Sequence, residues 1–389
     1  MNSTSHTFDV IICGGGPGGS TAAMAFHDTE LKIAVIEKSS FPRDKVCGDS
    51  MMSYIPKALN RISPNFKKAF DDFKGKILIN DAYISSYNNK AVTVKLHEQG
   101  FIIPRYYFDN FLYEQANTLP NVTYFLEQQI KTVEIDDEKC TVVTTKGETF
   151  RAKIILGCDG STSAVRRQLT NYTKDPSKDI TSIRAYYENV KDPKMDTLEV
   201  YLSNKYPEGY LWIFPSYNNQ VNVGFGTYVE RISKDKINIK DALLEIIEDN
   251  PSLRERFKNA KRIDDFKGWS ISLGYGSYPI SGKRFMLCGD AASLADPSSG
   301  EGIGPAMISG RIAAFHAINC FKNNDFSEKY MKVYDKEIYI KFGKSYKRLY
   351  KLVKFVLRNS WLVNLCVNSV NITPNLSKIY LKLYKVIHP

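Results

Sequence analysis

Several things are scarce in this 389-residue chain, and each scarcity excludes something. The seven cysteines (13, 47, 140, 158, 288, 320 and 366) are odd in number and include no C-x-x-C pair. That argues against a disulfide framework, a thioredoxin-like dithiol and an iron–sulfur ligand set. The five histidines are scattered, so no metal site is expected. The opening MNSTSHT has neither a basic n-region nor an apolar h-region, and no secretion signal is read there. No apolar run is long enough to span a bilayer. The longest uncharged stretch, 359–377, is broken by Asn364, Asn368, Asn371, Pro374 and Asn375. Reduced thiols and a cytoplasmic location are the expectation.

Acidic residues are missing from one region altogether. Between Lys341 and Pro389 there is no Asp or Glu, but ten Lys and Arg. They account for nearly all of the net charge of +11. A basic tail on a near-neutral body argues against general nucleic-acid binding and for a local anionic contact. Lys347, Lys351, Lys354 and Arg358 recur at helical spacing, with Leu349, Leu352, Val353 and Val356 read onto the opposite side. Lys378, Lys382 and Lys385 repeat the pattern. A basic amphipathic helix of this kind suits an anionic membrane surface, which makes peripheral placement on the inner membrane face the matching expectation.

What is present is an ordinary globular balance, 43% hydrophobic and 24% charged, long enough for two or three sub-domains. The most informative stretch is Phe8–Gly19, FDVIICGGGPGG. It reads as a buried strand, a glycine turn and a helix from about Ser20. Gly14, Gly16 and Gly19 stand at the G-x-G-x-x-G spacing: a tight turn, close backbone approach to a pyrophosphate, and close helix–strand packing. Ala22 continues the small face. A second strand, 32–38, ends in Glu37, placed to accept from an adenosine ribose, with Lys38 beside it. Two more apolar strands end in comparable turns, Ile154–Gly157 before Cys158-Asp159-Gly160, and Phe285–Cys288 before Gly289-Asp290. One nucleotide-binding sheet assembled from distant segments fits all three. Between them, 182–190, 197–202, 210–214 and 221–228 alternate as an antiparallel layer. Helices are expected over 104–119, 241–248, 252–260 and 302–320.

Four segments in this order carry a resemblance. They are the glycine clamp; Arg105 opening PRYYFDNFLYEQA; Asp159-Gly160; and Gly289-Asp290 followed by PSSGEGIG. Together they resemble FAD-dependent oxidoreductases of the p-hydroxybenzoate-hydroxylase-type fold. Phe41–Asp49, FPRDKVCGD, is similar to the R-x-x-x-C-G segment of the geranylgeranyl reductase family. Pro207–Pro215, PEGYLWIFP, with Gly224 and Gly226 after it, resembles that family's P-x-x-Y-x-W-x-F-P and G-x-G pattern at every fixed position.

The resemblance implies an α/β fold. It has a discontinuous Rossmann-like FAD-binding domain (1–75, 101–180, 270–325), an antiparallel β-sheet substrate domain (76–100, 181–269) and a helical C-terminal region (326–389). It implies FAD contacts from Gly14, Gly16, Gly19, Ala22, Glu37, Lys38, Cys47, Gly48, Ser50, Arg105, Gln129, Asp159, Gly160, Asp290, Gly302 and Ile303. Tyr210, Trp212 and Phe214 have strand period 2 and so share one face, an apolar wall for a prenyl substrate. The implied activity is reduction of isoprenoid C=C bonds by hydride from flavin N5. NADPH or ferredoxin is the electron donor, and Cys47, Tyr206 and Tyr210 are candidate catalytic groups. The alternative is a flavin monooxygenase or halogenase acting on an aromatic substrate, since GYLWIFP partly imitates the halogenase G-W-x-W-x-I-P segment.

Overall fold

A computed structural model describes residues 4–173, 175–275 and 278–373. In chain order its strands are β1 (Ser5–Thr7), β2 (Val10–Cys13), β3 (Ile33–Ile36), β4 (Ser50–Met51), β5 (Ile77–Ser85), β6 (Ala91–Ile102), β7 (Val122–Phe125), β8 (Ile130–Ile135), β9 (Cys140–Thr144), β10 (Thr149–Ala152), β11 (Ile154–Gly157), β12 (Asp179–Glu188), β13 (Thr197–Tyr201), β14 (Gly209–Pro215), β15 (Val221–Tyr228), β16 (Lys261–Arg262), β17 (Lys267–Ser272), β18 (Ser281–Gly282) and β19 (Phe285–Leu287). The helices are α1 (Pro17–Met24), α2 (Tyr54–Asn60), α3 (Pro64–Asp72), α4 (Arg105–Asn117), α5 (Ala164–Leu169), α6 (Val229–Asp235), α7 (Ile239–Asp249), α8 (Pro251–Phe257), α9 (Ile303–Asn323), α10 (Glu328–Ile338), α11 (Lys344–Arg358) and α12 (Ser360–Ile372).

The short all-apolar strands β2, β3 and β11 are buried at every residue, as expected of parallel strands covered on both faces. They join a six-stranded sheet in the order β18-β19-β11-β2-β3-β7, so segments from residue 10 to residue 287 pair side by side. α1 and α9 lie against each other at their glycines. A Cβ on Gly310 would come within 3.0 Å of the Gly18 carbonyl carbon. The two backbones therefore touch with no side chain between them.

The alternating segments form the large sheet, ordered β16-β12-β15-β14-β13-β5-β6-β4, with β17 also on β12. The sequence suggested a wholly antiparallel layer. Here β13 runs parallel to β5, with Val200 opposite Ile84. β13 follows β12 in the chain but lies three strands from it in the sheet, so no hairpin dictates its direction. α7 is not a surface helix on all sides. It buries Ala242, Leu243, Ile246 and Ile247 on the outer face of this sheet, against Leu211, Ile213, Val223 and Phe225. Its period-3.6 apolar stripe requires such cover.

Of the basic C-terminal stripe, Lys354 is tied to Glu230 (3.0 Å) and Arg358 to Glu208 (3.0 Å). Leu352, read onto the apolar side, is exposed beside the lysines, while Leu349 is buried. Lys378, Lys382 and Lys385 lie outside the described residues. No helix among the described residues is long and apolar enough to cross a membrane.

Candidate functional site

Three strand ends make one rim. β2, β11 and β19 lie in parallel register and stop together, so Gly14, Asp159 and Asp290 follow them side by side. Ligands of open α/β sheets settle at such carboxyl ends. Gly14 has a φ of 99°, and a Cβ on it would lie 2.8 Å from the Cys158 carbonyl carbon. No other residue suits that place. α1 begins at Pro17, not at Ser20, because proline at the first turn sacrifices no hydrogen bond. Gly19 is thus inside the helix, where a Cβ would press to 3.0 Å on the Gly14 carbonyl carbon. Ala22 is fully buried there. Gly16 caps the helix in open space, its nearest neighbour being Arg43 Nη2, 3.4 Å from where a Cβ would stand.

The polar atoms around this rim are only partly satisfied from within. Glu37 is buried and accepts from Gly15 N (2.8 Å) and Ser39 N (3.0 Å). Arg43 reaches Asp109 (3.1 Å), yet its buried Nε makes no hydrogen bond. Asp159 caps α5 through Oδ2, accepting from Ala164 N at 2.6 Å, while buried Oδ1 has no partner. Gly160 follows at a φ of 76°. Arg105 forks onto Asp109 (2.6 and 2.7 Å) at i, i+4 on α4.

Burial raises the Asp290 carboxyl, against the pull of Lys45, Arg105 and Arg166. Burial and the nearby Arg105 bring the Lys45 ammonium down to about 8. That ammonium sits 3.8 Å from the centre of the Trp269 ring. Gly302 and Ile303 open α9 beside Asp290, whose Oδ1 is 3.1 Å from where a Gly302 Cβ would stand. Stranded donors and acceptors around a glycine turn and two helix N-termini have the chemistry of a dinucleotide seat.

Two expected members turn their surfaces to solvent. Gln129 is exposed, and its carbonyl accepts from Thr145 N (2.8 Å). Its neighbour Gln128 turns inward, donating its N–H to Glu37 O (2.9 Å). Lys38 is also exposed, its ammonium 6.0 Å from the Trp269 ring centre.

The loop 41–49 bridges the rim to the large sheet, and two carboxylates pin it. Asp44 takes Arg184 (3.0 Å) and Lys267 (2.7 Å). Asp49, 1% exposed, accepts from Arg105 N (3.1 Å), Asn222 Nδ2 (2.9 Å) and the Tyr186 hydroxyl. Asn222 also donates to Cys47 O (2.9 Å) and accepts from Trp212 Nε1 (3.0 Å). One amide therefore ties the Cys47–Gly48 tip to the aromatic wall. Ser50 continues the loop into β4, opposite Ile102. Sequence reading gave these pins no role. Asp44 and Asp49 lie inside a quoted motif, but their side-chain partners Arg184, Lys267, Tyr186 and Asn222 are more than 130 residues away. Asp49→Ala leaves three donors without an acceptor. Its expected cost is about 1–3 kcal/mol of folding stability, read from denaturant unfolding beside the parent protein.

Tyr210, Trp212 and Phe214 do share a face, with ring centroids 6.0 and 6.2 Å apart in succession. A Cβ on Gly48 would stand 3.1 Å from the Phe214 ring. Tyr210 donates to Ser299 O (2.6 Å), so the file runs from the Cys47–Gly48 tip to the loop before α9. Gly224 and Gly226 are explained by the same face: the Trp212 indole lies across them. The face continues outward in register as Trp212–Val200–Ile84–Val92, with Leu198–Ala82–Val94 alongside. The six aliphatics are half-buried and belong to no closed core. Four strands at this spacing give an apolar floor about 14 Å wide.

Tyr206 is elsewhere. Its hydroxyl donates to Glu245 of α7 and its ring packs on Phe225, on the opposite face of the sheet. The turn at Glu208, with a φ of 65°, breaks the strand parity that Tyr206 and Tyr210 otherwise share. Burial holds the Cys47 thiol above its usual range and lifts Tyr210 to about 12, so both keep their protons at neutral pH.

Burial also lifts Glu301, in the loop before α9, to about 7, with the Tyr54 hydroxyl and Gly304 N (2.8 Å) donating to it. The folded protein holds this proton where the unfolded chain has released it. Stability is therefore expected to fall as pH rises from about 4.5 to about 7, and Glu301→Gln is expected to flatten that slope in thermal melts.

The sequence model of an FAD binding domain matches residues 7–314. The chain is 31% identical to digeranylgeranylglycerophospholipid reductase of Methanocella arvoryzae, over 91% of this chain and 88% of that one. It is 26% identical to a 1H-pyrrole-2-carbonyl-[peptidyl-carrier protein] chlorinase of Pseudomonas fluorescens, over 85% and 80%. Among solved structures it resembles a geranylgeranyl bacteriochlorophyll reductase-like protein of Thermoplasma acidophilum, with TM-score 0.80 and 27% identity over 91% and 88%. The flavin-dependent brominase Bmp2 shares the fold at TM-score 0.77 and 20% identity, over 97% and 93%. The matched FAD domain and the identity to the reductases across nearly the whole chain place this protein in the FAD-dependent geranylgeranyl reductase family.

Proposed function

We propose that this protein reduces C=C bonds in geranylgeranyl-type chains carried by a lipid. The observation that carries the reading is the apolar floor. It starts at Trp212, tied by Asn222 to the Cys47–Gly48 tip beside the dinucleotide rim. It is wide enough to hold several isoprene units. FAD, once reduced, supplies a hydride from N5 to one alkene carbon.

The protein's own part is placement and dryness. Gly14, Gly16 and Gly19 would admit the pyrophosphate, Arg43, whose Nε makes no hydrogen bond, would reach it, and Glu37 would take the adenosine ribose. Asp290 would take the ribityl chain, and the N-terminus of α9 at Gly302–Ile303 would stabilise negative charge on the reduced ring. Trp212 and Phe214 hold the alkene in register and exclude water. The second hydrogen arrives as a proton. Of the three candidate groups read from the sequence, Cys47 Sγ and Tyr210 Oη lie on this side of the sheet, and Tyr206 is removed from the set by its position. NADPH or ferredoxin supplies the electrons, and the prenyl substrate approaches from an anionic membrane surface.

The deciding experiment is anaerobic. Photoreduced protein is mixed with a geranylgeranyl lipid and the product is weighed by mass spectrometry. A gain of two hydrogens per bond, without oxygen, is expected. No gain, together with oxygen-dependent turnover of a phenol or a carrier-bound pyrrole, assigns the site to monooxygenation or halogenation instead.

A further inference from the structure

α11 and α12 meet at the single residue Asn359. Along α11 one face is solvent-exposed, and it changes character along its length. It begins with Lys344, Lys347, Arg348 and Lys351, then turns apolar at Leu352 and Phe355. α12 leaves directly after the Asn359 turn and exposes Trp361 and Leu365. Phe355, Trp361 and Leu365 are 58, 61 and 55% exposed. Large apolar side chains clustered at one tip are unusual on a soluble surface unless something covers them.

The charges nearby choose the covering material. The whole span from Lys341 onward has no acidic residue. The cations closest to the protein body, Lys354 and Arg358, are already neutralised by Glu230 and Glu208. These two pairs tie α11 to α6 and to the turn before β14. They leave Lys344, Lys347, Arg348 and Lys351 as an exposed basic collar behind an apolar tip. An apolar tip with a cationic collar matches the acyl boundary and headgroup layer of an anionic leaflet.

The two helices also touch the open edge of the apolar floor. Tyr87, in the turn after β5, donates to Leu357 O (3.2 Å), and Asn371 of α12 donates to Ala91 O (3.1 Å) at the start of β6. Val92, the outermost residue of the row that starts at Trp212, adjoins that contact.

We infer that the α11–α12 tip inserts Phe355, Trp361 and Leu365 into the anionic leaflet of a bilayer, so that the isoprenoid chain passes from lipid onto the floor at Val92. The route of the chain rests on the proposed reductase activity; the insertion does not.

The test uses full-length, FAD-loaded protein and vesicles of phosphatidylglycerol, with and without brominated acyl chains. Trp361 is expected to be quenched by the bromines, and Trp361→Phe to abolish most of that quenching while Trp212 and Trp269 stay dark to it. The double variant Phe355→Ser/Leu365→Ser is expected to co-float at least ~10-fold more weakly. It should keep parental FAD content and parental turnover of detergent-dispersed substrate. Equal flotation of parent and variant overturns the inference. So does a concentration-dependent dimer that the same double variant dissolves, because the tip then belongs to a second copy. Flotation and quenching require no turnover, so an inactive but membrane-bound protein defeats only the reductase reading.

Discussion

Gly14→Ala is expected to purify colourless. A methyl group there must stand 2.8 Å from the Cys158 carbonyl carbon, and nearer still to its oxygen, on a backbone with a φ of 99°. Two costs therefore add. The backbone conformation disfavours any Cβ, and the clash falls on main chain, which cannot rotate away. Relief requires β2 and β11 to part at the point where Cys158 N donates to Cys13 O (2.7 Å). That would move Asp159 and the start of α1 together. The expected loss in FAD affinity is at least ~100-fold, about 2.7 kcal/mol. It is measured as the flavin-to-protein absorbance ratio and by FAD titration of the apoprotein. Gly160→Ala is the control. Gly160 also has positive φ, at 76°, but no atom lies within 4 Å of its missing Cβ. It should lose a few-fold at most.

Gly224→Val is expected to do the reverse: keep the yellow colour and lose the reaction. A Cβ on Gly224 would stand 2.5 Å from Cε2 of Trp212 and 2.5 Å from Ile183 O. The β12–β15 ladder must shift locally at Ile183, whose carbonyl cannot rotate away, and the indole must swing off its seat. That breaks its bond to Asn222 and frees the Cys47–Gly48 tip from the wall. Displacing a substrate-positioning ring by about 1 Å costs on the order of 100-fold in rate. A fall of at least ~100-fold in turnover with unchanged FAD content is therefore expected, measured by single-turnover flavin reoxidation under substrate. Gly226→Ala should be milder, because its Cβ would lie 3.7 Å from the indole.

The contrast between those two glycines shows what sequence could and could not tell. Gly14 was readable because its constraint is local: a turn, a strand and a helix within a dozen residues. The direction of Tyr210, Trp212 and Phe214 was readable too, since strand parity needs no partner. Gly224 and Gly226 could be recognised as a pattern, but their physical reason required knowing that β14 and β15 pair with Trp212 opposite Gly224. The pins on loop 41–49 were beyond reach for the same reason. Asp44 and Asp49 look like loop carboxylates until Arg184, Tyr186 and Asn222 arrive from residues far down the chain. Tyr206 was named by its nearness to Tyr210 in the chain, and the positive-φ turn at Glu208 between them sends it to the other face. The parallel pairing of β13 with β5 had no local signal at all, as it joins strands separated by a long stretch of intervening chain.

The bare-backbone crossing of α1 and α9 at Gly18 and Gly310 has a consequence for cofactor choice. With nothing larger than the Ala306 methyl in the joint, there is no soft spacer to compress or stretch. The two positive helix ends act as the jaws of a fixed caliper, set to one span between phosphate and ring. A flavin mononucleotide, lacking the adenylate half, can fill one jaw but not both. It should bind far more weakly than the dinucleotide even where every atom contacting its ring is present.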